Sequence, residues 1–264
     1  MIKAAFFDID GTLVSFRTHN IPSSTIAAVR RLKDLGVKVF IATGRPWQFL
    51  NSLTEIEPYV DGYITCTGAY SFSGDEVLSS HALPRTQVER LVAECQSTNT
   101  TCIVAGKQHV AVIAETPELQ YIFAHFLKID VTAHRAPLAE VLAEDVLQVI
   151  PFFTAEQEAA IMPSLPDCAG ARWHPACVDV THRGVDKGVA LRSVAERLGI
   201  DVADTIAFGD GGNDVAMLRM AGIGVAMGNA NDDVKRYADM VTTSVDDDGI
   251  ANALAKVMGE AFVE

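Results

Sequence analysis

The stretch FFDIDGTLV (6–14) ends an apolar run on two aspartates, Asp8 and Asp10, separated by one residue. Carboxylates this close repel each other unless something positive lies beside them. The spacing therefore points to a divalent metal and a phosphoryl group. Three further clusters complement the pair. Thr43-Gly44-Arg45-Pro46 offers a hydroxyl, backbone N–H groups and a guanidinium, all suited to phosphoryl oxygens. Lys187 balances crowded carboxylates and holds Asp8 ionised. Gly209-Asp210-Gly211-Gly212-Asn213-Asp214 brings two more carboxylates and an amide in a glycine-rich turn.

These residue types assemble into a phosphoryl-transfer site. Asp8 is the expected nucleophile, giving an aspartyl-phosphate. Asp10 protonates the leaving alcohol, then takes a proton from the hydrolytic water. Mg2+ held by Asp8, the Asp10 backbone carbonyl and Asp210 compensates the charge of an anion attacking a dianion. Asp214 supports the metal directly or through water, and Asn213 fixes the phosphate or Lys187. Gly11 allows a tight turn beside the phosphate. Each cluster alone has an ordinary explanation. DxD is a common Asx turn, TGR fits a turn with a surface arginine, and GDGGND fits a helix N-cap. A lone lysine at a helix start is usually solvated. Their joint occurrence, in this order and each after its own strand, singles out the chemistry.

The elements that must position these residues are short apolar runs and amphipathic stretches. Runs 3–9, 37–43, 62–67, 205–210 and 223–227 read as buried parallel strands, and 22–36, 187–199 and 213–222 as helices ending at glycines. The alternation predicts an α/β fold, a doubly wound, Rossmann-like parallel sheet, with ligands at the C-terminal ends of its strands. The middle is different. VERLVAECQ, TCIVAGKQHVAVIAE, ELQYIFAHFLK, VLQVIPFF, EQEAAIMPSL and RWHPACVDVT read as helix, hairpin, helix, hairpin. This predicts an antiparallel sheet with helices on one face. The expected organisation is a core domain of 1–82 and 183–264 with an inserted α+β domain over 83–182.

Bulk properties bound the partners. The 264 residues carry a formal net charge of −13, with 49% hydrophobic and 21% charged residues. That charge disfavours nucleic acid and anionic membrane surfaces, and leaves a small anionic ligand held by local cationic groups. The longest apolar runs fall short of a membrane span. Residues 4–7 read as a first strand with no secretory signal before it, and Cys66, Cys95, Cys102, Cys168 and Cys177 lack CxxC spacing. The expectation is a cytoplasmic protein with reduced thiols.

FFDIDGT, IATGRP, the lysine of DKGVAL and FGDGGND resemble the four motifs of the haloacid dehalogenase superfamily. VAMGNA (225–230) and DDDGIANAL (246–254) resemble its Cof-like sugar phosphatase branch. The match covers both core segments, with hexose phosphate phosphatases from gut bacteria the nearest resemblance. The resemblance implies Mg2+ dependence, an aspartyl-phosphate intermediate and an inserted cap that gates the site. One departure stands out: many Cof-like proteins carry Asn-Gly after the third strand, where this chain has Thr67-Gly68. Dehalogenases of the superfamily lack the acid/base aspartate, so Asp10, Asp210 and Asp214 favour phosphoryl chemistry.

Substrate choice should lie in the cap. In RWHPACVDVTHRGVDKG (172–188), Asp179 is the leading candidate for hydrogen bonds to sugar hydroxyls, and strand alternation puts Thr181 on its side. Trp173 and His174 either line the pocket or serve as cap core and a turn before Pro175. Arg45 either holds substrate or salt-bridges the cap. The reading is a phosphatase for small phosphorylated metabolites, with hexose 6-phosphates foremost. Two rivals stand beside it: a sugar phosphomutase or phosphotransferase using the same aspartate pair, and a phospho-aspartate signalling module, whose acidic cluster does not have the DxDGT form.

Overall fold

The computed structural model describes residues 1–50, 53–259 and 262. The first part of the chain forms β1 (Ala4–Phe7), β2 (Lys38–Ala42), β3 (Gly62–Thr65), β4 (Tyr70–Ser73) and β5 (Glu76–Ser80). The middle forms β6 (Cys102–Gly106), β7 (Val110–Ile113), β8 (Val146–Pro151), β9 (Cys168–His174) and β10 (Cys177–His182). The return adds β11 (Thr205–Gly209), β12 (Ile223–Ala226) and β13 (Met240–Val241). Two compact units result. One comprises Met1–Thr43, Asn51–Ser79 and Asp186–Glu264; the other comprises Gly44–Leu50 and Ser80–Val185.

The first unit holds an eight-stranded sheet in the order β13-β12-β11-β1-β2-β3-β4-β5. The strands from β13 to β3 run parallel, as the strand-helix alternation predicts. β1 is apolar at every position and fully buried, as a strand covered on both faces requires. Phe6 stacks on Phe40 at 5.3 Å and Phe7 on Phe208 at 5.0 Å, tying β1 to both neighbours. Phe6 and Phe40 pack with Leu191 and Val194 of the helix Lys187–Arg197 and with Met217 and Leu218 of Val215–Met220. Burying each phenylalanine contributes roughly 1.5–3 kcal/mol. The register pairs Phe7 with both Ile41 and Phe208, so β1, β2 and β11 end at one edge. The apolar pattern predicts no strand between residues 67 and 83. YSFSGDEVLSS continues the sheet, with β4 antiparallel to β3, because its alternating apolar residues flank a Gly74-Asp75 turn.

The second unit holds an antiparallel sheet in the order β7-β6-β8-β10-β9. The expected hairpins are β6–β7 and β9–β10, with β8 between them. One face carries Cys102, Val104, Val149, Val178 and Val180, and the other Ile103, Ala105, Ile150 and Cys177. The helix Arg85–Ser97 buries Val88, Leu91, Val92 and Cys95 at helical spacing. Ala155–Ile161 starts at a capping box made by Thr154 and Gln157. ELQYIFAHFLK differs from the expected α-helix. It winds as a π-helix over Gln120–Phe126, with the Leu127 N–H donating to Ile122 O, five residues back, at 3.0 Å. All five cysteines are buried thiols outside any disulfide. Among the described residues, no helix is long and apolar enough to cross a membrane.

Candidate active site

Asp8 is the first residue past β1, and its N–H still donates to Phe208 O at 3.0 Å. The chain then turns at once. Val14 N–H donates to Ile9 O at 2.8 Å and Gly11 N–H to Val14 O at 2.9 Å. Gly11 has φ +88°, and a Cβ there would collide with the Asp210 carboxylate. Only glycine lets the DxDGT turn lie against the end of β11. The same turn supplies the Thr12 hydroxyl, which donates to Asp210 Oδ1 at 3.3 Å. Asn229, in the loop after β12, donates to Gly11 O at 2.8 Å and Asp210 Oδ2 at 3.2 Å. Its own Oδ1 accepts from Val245 N–H at 2.9 Å.

Lys187 opens the helix Lys187–Arg197, whose N-cap is Asp186, bonded to Val189 N–H at 2.7 Å. The lysine is fully buried, with Nζ 2.6 Å from Asp8 Oδ1 and 2.6 Å from Asp214 Oδ1. The second oxygen of Asp214 accepts the N–H groups of Asp210 at 3.0 Å and Gly211 at 2.9 Å. Asp214 thus organises the glycine-rich turn and the lysine together. Asn213 lies half-buried in the same turn.

Asp8, Asp210 and Asp214 each present a carboxylate oxygen within 4.8 Å of the others. Three carboxylates face one ammonium, so negative charge is in excess. Burial first, then the Asp214 charge, push Asp8 well above the usual carboxylate range, against the pull of Lys187. The same causes push Asp210 up to about 7. The two flanking carboxylates hold Lys187 above its ordinary value, against its burial, so it stays cationic. A hard cation fits this donor set, because it brings the missing charge and takes oxygen ligands. Asp10 lies half-buried outside this three-carboxylate group.

Thr43 follows β2, is buried, and its N–H donates to Ile64 O at 2.8 Å. Its carbonyl accepts the N–H of Thr67 at 3.1 Å. Thr67 is itself unusual. Cys66 and Thr67 adopt consecutive left-handed conformations, φ 51° and 53°, and the buried Thr67 hydroxyl has no hydrogen-bond partner.

The remaining candidates belong to the second unit. Arg45 is buried and donates from Nη1 to Phe49 O at 3.1 Å. Gly44 O accepts from Gln148 Nε2 at 3.1 Å. Asp179 and Thr181 are buried on one face of β10, and Asp179 Oδ1 accepts the indole N–H of Trp173 at 2.9 Å. Trp173 packs edge-on against Phe123 at 6.2 Å and is 36% exposed. His174 is the last residue of β9, and its Nδ1 accepts from Ala176 N–H at 3.1 Å in the Pro175-Ala176 turn that follows. Thr12, Asn229 and Gln148 were not singled out from the sequence. Asn229 left a trace in VAMGNA, a polar turn directly after an apolar strand.

A parallel sheet with clustered carboxylates and a buried lysine at its strand ends defines a phosphoryl-transfer class of protein. The family model of the haloacid dehalogenase-like hydrolases matches residues 5–254, and the chain belongs to that family. It is a phosphatase of the family's Cof-like branch, a phosphoric monoester hydrolase. A solved subclass IIB sugar phosphatase of the superfamily is 44% identical, with a TM-score of 0.90 over 97% of this chain and 99% of the other. A solved phosphatase of the superfamily from Bacteroides thetaiotaomicron is 35% identical, with a TM-score of 0.84 over 97% and 95% of the two chains. The putative phosphatase YkrA of Bacillus subtilis is 34% identical over 97% of each chain.

Proposed function

We propose that the protein is a Mg2+-dependent phosphatase that hydrolyses small phosphorylated metabolites, foremost hexose phosphates, through an aspartyl-phosphate on Asp8. The observation that carries this reading is the buried Asp8–Lys187–Asp214 chain, with both Lys187 contacts at 2.6 Å, beside Asp210. Lys187 and the supporting bonds of Asp214 hold Asp8 in place for in-line attack. An Asp8 oxygen bonds to phosphorus as the ester P–O bond breaks, and Asp10 gives its proton to the departing alkoxide. Asp10 then takes a proton from a water that attacks phosphorus, releasing inorganic phosphate and regenerating Asp8. Thr43 and the Gly44 region hold the phosphoryl oxygens, with Asn213 and Gly11 shaping the turn around them. Asp8, the Asp10 carbonyl and Asp210, with Asp214 in support, would hold Mg2+, which would supply charge neutralisation at the phosphoryl oxygens.

On the second unit, Asp179, Thr181 and Arg45 are the proposed substrate contacts. Asp179 and Thr181, with Gln148 beside them, are buried polar groups on a sheet face that also carries Ile103, Ala105 and Ile150. The sugar phosphatase at 44% identity supports a sugar phosphate as substrate. A Bacillus subtilis relative, 30% identical over 94% of this chain, is a 5-amino-6-(5-phospho-D-ribitylamino)uracil phosphatase, which puts phosphorylated polyol chains on the test panel. The five buried cysteines, none of them in a disulfide, support a reducing, cytoplasmic setting.

The test is phosphate release from hexose 6-phosphates, pentose phosphates, ribityl phosphates, nucleotides and pyridoxal phosphate, with Mg2+ and with chelator. Release that requires Mg2+ and disappears in Asp8→Asn supports the reading. Phosphate migrating between sugar positions without release would instead identify a mutase.

A further inference from the structure

Gln148 is the one polar residue in β8, VLQVIP, a strand buried along its whole length. Pairing sets it opposite Ala105 of β6 and, through the Val180–Val149 pair, beside Thr181 of β10. Its Nε2 donates to Gly44 O at 3.1 Å, while its Oε1 is buried with no partner. An unpaired buried acceptor is destabilising, and an apolar residue would fill this strand without that penalty. The amide N–H is therefore the part of the side chain with a purpose, and its target is a carbonyl of the TGR motif.

Peptide geometry gives that contact a consequence. In a planar trans peptide the N–H points opposite to the C=O. Thr43 O is clamped by Thr67 N–H at 3.1 Å, which sets the direction of the Gly44 N–H. Gly44 O is clamped by Gln148, which sets the plane of the next peptide, Gly44–Arg45. The same segment is fastened further along. Trp47 Nε1 donates to Lys107 O at 2.8 Å and Gln48 Nε2 to Gly106 O at 2.9 Å. Successive peptides of the motif are thus oriented from different places, the first by the loop after β3 and the second by β8.

We propose that Gln148 is a positioning residue for phosphoryl binding, acting through the Gly44–Arg45 peptide. The inference rests on the proposed reading that the TGR loop holds the phosphoryl group. A misplaced donor in such a loop acts on every phosphate ester alike, because the phosphoryl group is common to all.

The test uses Gln148→Leu and Gln148→Met, assayed on a hexose 6-phosphate and on p-nitrophenyl phosphate, with orthovanadate inhibition and thermal melting. The expected result is a loss in kcat/KM of about 10- to 100-fold on both esters. The vanadate Ki should rise by a similar factor while the Tm stays within a few degrees. Gln148→Asn, which keeps the amide but withdraws it by one methylene, should show the same uniform pattern, and it decides the matter if the apolar variants unfold. Unchanged kinetics would overturn the proposal. So would a loss confined to the sugar ester with vanadate inhibition unchanged, since Gln148 would then read the leaving group. A wild-type protein inactive on every ester would sink the phosphatase reading itself. An active wild type with unaffected variants would sink only the role of Gln148.

Discussion

The Lys187 ammonium lies 2.6 Å from Asp8 Oδ1, although 179 residues separate the two in the chain. A second carboxylate, Asp214, holds the same ammonium at 2.6 Å from its other side. The lysine bridges a proposed nucleophile, which must be available to substrate, and a support that is fully paired. The two carboxylates should therefore respond to mutation in opposite ways.

Asp8→Asn should abolish phosphate release, by at least about 10³-fold. The metal-free protein should keep or raise its Tm, because a buried charge repelled by Asp214 and Asp210 is removed. Asp214→Ala should destabilise by roughly 3–5 kcal/mol, since it strips a buried partner from Lys187 and orphans two backbone N–H groups. Thermal melting of both variants in chelator checks the contrast. Equal destabilisation would contradict it.

Asp210 makes the metal-free protein pH-sensitive. Its folded pKa of about 7 exceeds the ordinary 3.8, so the folded state binds the extra proton between those values. The stabilisation is complete below about pH 4 and is lost as pH rises through 7, on the order of 1–4 kcal/mol. Between pH 5 and 8 in chelator, wild type should lose stability relative to Asp210→Asn. Added Mg2+ should raise the wild-type Tm more at pH 8 than at pH 5. A wild-type curve parallel to that of Asp210→Asn would exclude this origin.

Asn229 ties three strand-end loops together through Gly11 O, Asp210 Oδ2 and Val245 N–H. Asn229→Ala should weaken Mg2+ binding by about 10- to 100-fold by freeing the Asp210 carboxylate to rotate. Calorimetric titration with Mg2+ gives the number directly. Unchanged affinity would assign Asn229 to fold stability alone.

Thr67 holds a left-handed conformation at φ 53°, which a β-branched residue adopts at a cost. Its hydroxyl is buried without a partner. Asn tolerates this conformation, so Thr67→Asn should stabilise by roughly 0.5–1 kcal/mol. That is about 1–4 °C for a chain of this size. A lowered Tm would show that packing around the threonine methyl outweighs the backbone strain.

Much of this molecule is readable in short segments. β1, β2 and β11 announce themselves as apolar runs that stop at Asp8, Thr43 and Asp210, because strands buried on both faces are apolar along most of their length. The hairpins β6–β7 and β9–β10 are likewise local and legible. The β4–β5 extension was missed because its serines dilute the apolar signal. The π-winding of Gln120–Phe126 was missed because apolar spacing there resembles an α-helix. Gln148 is invisible in a run that reads as core. Nothing local assigns Gly44–Leu50 to the second unit, since its anchors, Gly106, Lys107 and Gln148, lie far along the chain.

The sequence by itself determined the chemical inventory: which carboxylates, which lysine, which hydroxyl, and that each follows a strand or opens a helix. Those properties depend on residue type and near-neighbour spacing, which side-chain chemistry and backbone sterics decide within a few residues. Only the tertiary structure decided that Lys187 meets Asp8 and Asp214 together, that Asn229 reaches Gly11, and that Gln148 holds Gly44. Each of these contacts joins segments brought together by the packing of whole sheets and helices. Their geometry follows from strand order, register and the burial of side chains such as Phe6 and Phe208, which no single segment encodes.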